Sequence, residues 1–126
     1  MQPDIAYELF STCLMQTEQL TVKSGKGGLS YYKHGVFVCH FNARPRQNRE
    51  DLGFADFRYD GLRPYLDVEN TIAAIQHDAL PAVQIKGHKL WCSLHFPLSE
   101  LEHIADLFLR HIISKVNISE NKEIHP

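Results

Sequence analysis

No stretch of this chain approaches the roughly 20 consecutive apolar residues that a membrane-spanning helix needs. No basic segment precedes an apolar one at the N-terminus, where Asp4 and Glu8 stand instead. The expectation is a cytoplasmic protein with no signal peptide and no membrane contact. Cysteine is scarce: Cys13, Cys39 and Cys92 are the only three. Their odd count, wide spacing and apolar surroundings predict buried free thiols in a reducing compartment rather than a disulfide framework. No Cys-x-x-Cys pair exists, which argues against a structural zinc site of the usual kind. Neither sign of charge dominates, since 13 Lys and Arg face 15 Asp and Glu for a net charge of −2. The surface as a whole is therefore not built for nucleic acid or acidic membranes, which leaves only a local patch for such a role.

Catalytic signatures are missing too. Ser24-Gly25-Lys26-Gly27-Gly28 is rich in glycine, but its spacing matches neither the dinucleotide fingerprint nor the P-loop. A strand pattern follows it where a phosphate cradle needs a helix, so it reads as a hairpin turn. No His-Glu-x-x-His is present, and no Ser sits in a nucleophile elbow. Cys39 and Cys92 are expected to be buried and unreactive. An enzyme reading would rest on His40, His95 and Asp56 as acid–base groups alone.

What is present is a set of strand and helix patterns that are segregated along the chain rather than regularly alternating. At 126 residues the chain suits one domain, read as a single α+β unit over 1–116 with a polar tail over 117–126. Gly35–Phe41 is the most β-prone run and is apolar on both faces, which places it mid-sheet. Strict alternation would send Phe37, Cys39 and Phe41 one way and Val36, Val38 and His40 the other. Pairing with 29–33 makes a hairpin. Further strands are predicted at 20–23, 51–59, 82–86 and 89–96, the last with Leu90, Cys92, Leu94 and Phe96 inward. Residues 42–50 read as a polar loop. Helices are predicted over 3–16, with Ile5, Leu9 and Cys13 as one stripe beside Phe10 and Leu14, over 69–77, and from Ser99 onward. Ser99 and Glu102 have capping-box spacing, and Leu101, Ile104, Ala105, Phe108, Ile112 and Val116 form an apolar stripe. The fold class is α+β: an antiparallel sheet of five to six strands flanked by N- and C-terminal helices on one face.

If the thiols of Cys39 and Cys92 face the helices, the opposite sheet face carries Val36, Val38, His40, Trp91, Ser93 and His95, and the 51–59 strand adds Asp56 and Arg58 to it. Two imidazoles, a carboxylate, a guanidinium and an indole on one surface suit a protein partner or a small polar ligand. A solvated sheet face is the plainer alternative, and a second copy of the chain is another occupant. His40, His95 and Asp56 also have the makings of a two-His-one-carboxylate set, which keeps iron or zinc open as a cofactor, although no cofactor is predicted. Arg44, Arg46 and Arg49 are the one local Arg cluster, a candidate anion or nucleic-acid contact. Nucleic acid ranks below a protein or small ligand.

The run Tyr32–Phe41, a later apolar strand ending near Pro97 and the helix over 98–113 resemble the small YdhG-like domains, a family of unknown function. The resemblance covers 29–116 and implies a sheet flanked by terminal helices. Some relatives of that family are frataxin-like iron chaperones, which adds to the metal alternative. That type presents an acidic ridge, whereas the first helix here and its exit offer only Asp4, Glu8 and Glu18, so no residue role is carried over. The leading expectation is a non-catalytic binding domain, with metal handling and nucleic-acid contact through 44–49 as alternatives.

Overall fold

His34 and Gly35 both adopt positive φ, 50° and 83°, the backbone a two-residue hairpin turn requires. The computed structural model describes residues 2–46 and 50–117. Its elements run α1 (Pro3–Leu14), β1 (Thr21–Gly25), β2 (Gly28–Lys33), β3 (Val36–Arg44), β4 (Leu52–Arg58), α2 (Tyr59–Leu62), α3 (Val68–Asp78), β5 (Gln84–Gly87), β6 (Trp91–Pro97) and α4 (Leu101–His111). The six strands form one antiparallel sheet in the order β1-β2-β3-β4-β6-β5. This is the predicted α+β class with helices at both ends of the fold. Among the described residues no helix is long and apolar enough to cross a membrane.

The core lies between one sheet face and α1, α3 and α4. The Phe41 ring stacks on Phe10 of α1 at 4.2 Å and lies 6.2 Å from Phe96 of β6. All three are fully buried, and each such ring contributes on the order of 1.5–3 kcal/mol of transfer free energy. In α4 the predicted stripe is inward throughout, from Leu101 to Val116 just beyond the helix. In α1 the buried residues are Ala6, Phe10 and Leu14, while Ile5 is 55% exposed. The stripe is turned by one position from the Ile5/Leu9/Cys13 reading, because the stacked Phe10 decides which side docks. The helix also stops at Leu14 rather than residue 16.

Other local expectations are corrected. Ser99 does not cap α4. It lies in a 3-10 turn, Leu98–Glu100, and its backbone N–H donates to Glu50 at 3.0 Å. A real side-chain cap occurs at α3, where Asp67 accepts from the Asn70 N–H. β3 continues to Arg44, so 42–44 is strand rather than loop. Leu90 precedes β6 and is 43% exposed.

The largest correction concerns β3. Tyr31 pairs with Cys39 but Tyr32 pairs with Phe37, so Val38 is one extra residue, a β-bulge. A bulge lets two successive side chains share a side. Val38 and Cys39 are both fully buried, and Phe37 is sent to the opposite face. Strict alternation had these two exchanged.

One buried charge ties the chain end to the sheet. Lys33 is buried, 8% exposed, and its ammonium donates to the Ile113 carbonyl at 2.8 Å and lies 3.3 Å from Glu18. Both partners offset the desolvation that an isolated buried ammonium would suffer.

Two glycines are constrained by close packing. A Cβ on Gly53 would lie 2.5 Å from the Phe96 ring, and one on Gly28, at φ 118°, would lie 2.1 Å from the Phe41 carbonyl oxygen. Gly53→Ala and Gly28→Ala should each destabilise the fold by about 1–3 kcal/mol. Urea unfolding with unchanged slope is the measurement, and a midpoint equal to the parent's for both variants would refute this packing.

Candidate binding face

The period-two rule positions the outward residues. With Ala55 and Phe57 buried, β4 turns Phe54, Asp56 and Arg58 out; with Cys92, Leu94 and Phe96 buried, β6 turns Trp91, Ser93 and His95 out. Register then sets neighbours. His40 pairs with Asp56 and Asp56 with Ser93, Phe54 pairs with His95, and Arg58 pairs with Trp91. On the far side of β6, Lys86 pairs with Ser93. Among the described residues no helix covers this side, and its side chains stay partly or fully exposed apart from Ser93 at 8%.

A polar line crosses the middle. Ser93 Oγ donates to Asp56 Oδ1 in a short hydrogen bond. Its single proton is thereby used, so at 3.1 Å it accepts from His95 Nε2–H, which assigns the imidazole tautomer. His40 Nδ1 lies 3.6 Å from Asp56 Oδ2, near enough to pair when protonated. Burial holds the His95 pKa below the usual histidine range, and the Lys86 charge pushes it the same way against Asp56.

Aromatic rings flank this line. Towards one end Phe37 meets Tyr32 at 5.6 Å and Trp91 at 5.7 Å. Towards the other Phe54 meets His95 at 4.6 Å. Three of the rings carry a cation: Lys23 Nζ lies 4.9 Å from the Tyr32 centroid, the Arg58 guanidinium 5.3 Å from Trp91, and the Arg44 guanidinium 4.8 Å from Phe54. Such pairs are each worth roughly 0.5–1 kcal/mol at exposed sites. A depression of about 320 Å³ lies among Tyr32, Phe37, His40, Arg58 and Trp91. Another, of about 390 Å³, lies beside Phe54, His95, Arg46 and Lys86. Each is at the small end for a ligand site.

The five predicted ligand residues thus share one face, in two groups. Asp56 links His40 directly and His95 through Ser93; Arg58 and Trp91 stack two positions along the same strands from Asp56 and Ser93. Arg58 is also paired bidentately with Asp60. The predicted Arg cluster divides. Arg44 is a strand residue on the face, and Arg46 donates from Nε to the Glu50 carbonyl at 2.8 Å; Arg49 lies outside the described residues. His40 and His95 do not converge with Asp56 on one point, because Ser93 stands between. Among the described residues no group of three His, Cys, Asp or Glu is arranged to hold a metal ion.

Sequence reasoning put Ser93 on this face and Phe54 beside Asp56 and Arg58 but gave neither a role, and it left out Phe37, Tyr32, Lys23 and Lys86. Ser93 and Phe54 were available from the same alternation that gave Asp56 and His95. Phe37 was hidden by the bulge, and Lys23 and Lys86 depend on register across the sheet. Comparison with protein-family models, with curated proteins and with solved structures gave no match.

The His95 electrostatics make a measurable prediction. Its NMR titration midpoint should fall below that of an ordinary histidine, with the neutral ring protonated at Nε2. Lys86→Gln should raise the midpoint, since removing the ammonium eases formation of the imidazolium, and Asp56→Asn should lower it. A depressed histidine adds stability that is full above the ordinary range and fades as pH falls towards the folded midpoint. Movement of either midpoint in the opposite direction would overturn this electrostatic account.

Proposed function

We propose that this protein is a non-catalytic binding module whose site is the open sheet face around His40, Asp56, Arg58, Trp91 and His95. The observation that carries the reading is the set of three cation-capped rings on an uncovered sheet face. Solvent alone gives no reason to hold four large rings there, whereas a ligand with flat apolar parts and negative charge does. A binding role also fits the chemistry of Ser93. Its proton goes to a carboxylate rather than to an imidazole base, the reverse of a nucleophile triad. Its backbone sits between paired strands on both sides, so its amide is not an oxyanion donor.

Phenyl phosphate is a minimal probe of this reading. Added to 15N-labelled protein, it should shift amide signals of β3, β4 and β6 around Phe54, Asp56, Trp91 and His95. It should also change the emission of Trp91, the one tryptophan in the chain. Trp91→Ala should weaken the interaction by roughly 1–2 kcal/mol. Shifts confined to the helical side, or none at tens of millimolar probe, would refute the assignment.

A further inference from the structure

The charge on this face is unlike that of the whole chain. The protein carries −2 overall, yet Lys23, Arg44, Arg58 and Lys86 stand on or over the open face against Asp56, with Asp60 taken up by Arg58. Arg44 and Lys86 are exposed, and no ion pair engages either among the described residues. The acidic excess therefore lies elsewhere, and this face is locally basic.

The rings are spaced as well as grouped. Trp91 and His95 are four residues apart on β6, as are Arg58 and Phe54 on β4. At about 3.3 Å per residue the two aromatic positions are about 13 Å apart. Between them lie hydroxyl, carboxylate and imidazole groups of Ser93, Asp56 and His40. Ring, polar group and ring recur along the strands, with cations beside the rings. That pattern complements a polymer that repeats flat base and phosphate. Stacking on aromatic side chains, cation contacts to phosphate and hydrogen bonds to base edges are the three means by which proteins hold unpaired nucleotides. An acidic peptide would satisfy the cations but leave the rings unused, and a duplex keeps its bases stacked away from them.

We infer that the open face binds single-stranded nucleic acid, with the Phe37/Trp91 group and Phe54 as stacking positions and Lys23, Arg44 and Lys86 as phosphate contacts. This rests on the binding-face reading above and names its ligand class.

The test is fluorescence anisotropy with end-labelled mixed-sequence DNA and RNA strands of roughly 12 nucleotides, within the span such surfaces cover. Single strands should bind with a dissociation constant of about 1–100 μM at low salt, and affinity should fall with salt by a log–log slope of about −2, near −0.7 per phosphate met. Phe54→Ala and Trp91→Ala should each weaken binding about tenfold. Arg44→Gln, which also gives up the contact with the Phe54 ring, and Lys86→Gln, both at exposed positions, should each make the salt slope shallower. Four results would overturn the inference: no binding at about 1 mM protein in low salt, equal affinity for the matching duplex, equal competition by poly-glutamate, or strand binding that all four substitutions leave unchanged. If phenyl phosphate still maps to the face while the strands do not bind, the ligand class fails and the binding-face reading stands; if neither binds, both fail.

Discussion

The burial of Phe41 between Phe10 and Phe96 is the contact on which the rest depends. Side chains on a strand alternate, so a residue committed to the helices commits its two neighbours to the other side. Phe41 therefore turns His40 and Asn42 outward. Register carries that decision across the sheet, from His40 to Asp56 and from Asp56 to Ser93. The composition of the open face is thus a by-product of one stacked aromatic column within the core. A change there reaches the face through β3 without touching any residue on it.

The bulge at Val38 adds a second decision. Uninterrupted alternation would have put Phe37 among the helices and left Val38 to solvent. With one extra residue, β3 keeps both Val38 and Cys39 in the core and still delivers Phe37 to Trp91. The larger ring goes to the open side and the smaller aliphatic to the packed one. That is the opposite of what burial alone would favour, and it gives the outer face its largest continuous aromatic group.

The fold class was legible because it rests on long periodic signals. The stripe of α4, the alternation of β4 and β6 and the glycine turn before β3 each hold over several residues, and each is found in the structure. The face was legible to the same extent, since Asp56, Arg58, Trp91 and His95 follow from alternation alone. The failures are local and have local causes. Ser99 and Glu102 have capping-box spacing, but Glu50, distant in sequence, takes the Ser99 amide instead. The side of α1 that docks was decided by a stack with β3, which no helical period encodes. Arg44 read as part of a loop because Pro45 and its polar neighbours masked the last residues of β3. Contacts made between strands, such as those of Lys23 and Lys86, need a register before they can be named.

The inner thiols have a relation that follows from the same register. Cys92 pairs with Phe57 on β4, and Cys39 precedes the His40 that pairs with Asp56, so Phe57 stands between the two cysteines. Two strand spacings, roughly 9.5 Å, separate their backbones, beyond the ~7 Å that a disulfide can bridge without backbone movement. Burial also pushes the Cys92 thiol up to about 11 and that of Cys39 well above the ordinary thiol range. An oxidant reaching this interior would find two sulfurs neither ionised nor within reach of one another, separated by an aromatic ring. The register thus keeps both inner sulfurs apart with an aromatic ring between them, and burial together with the Glu102 charge raises the Cys13 thiol on α1 as well.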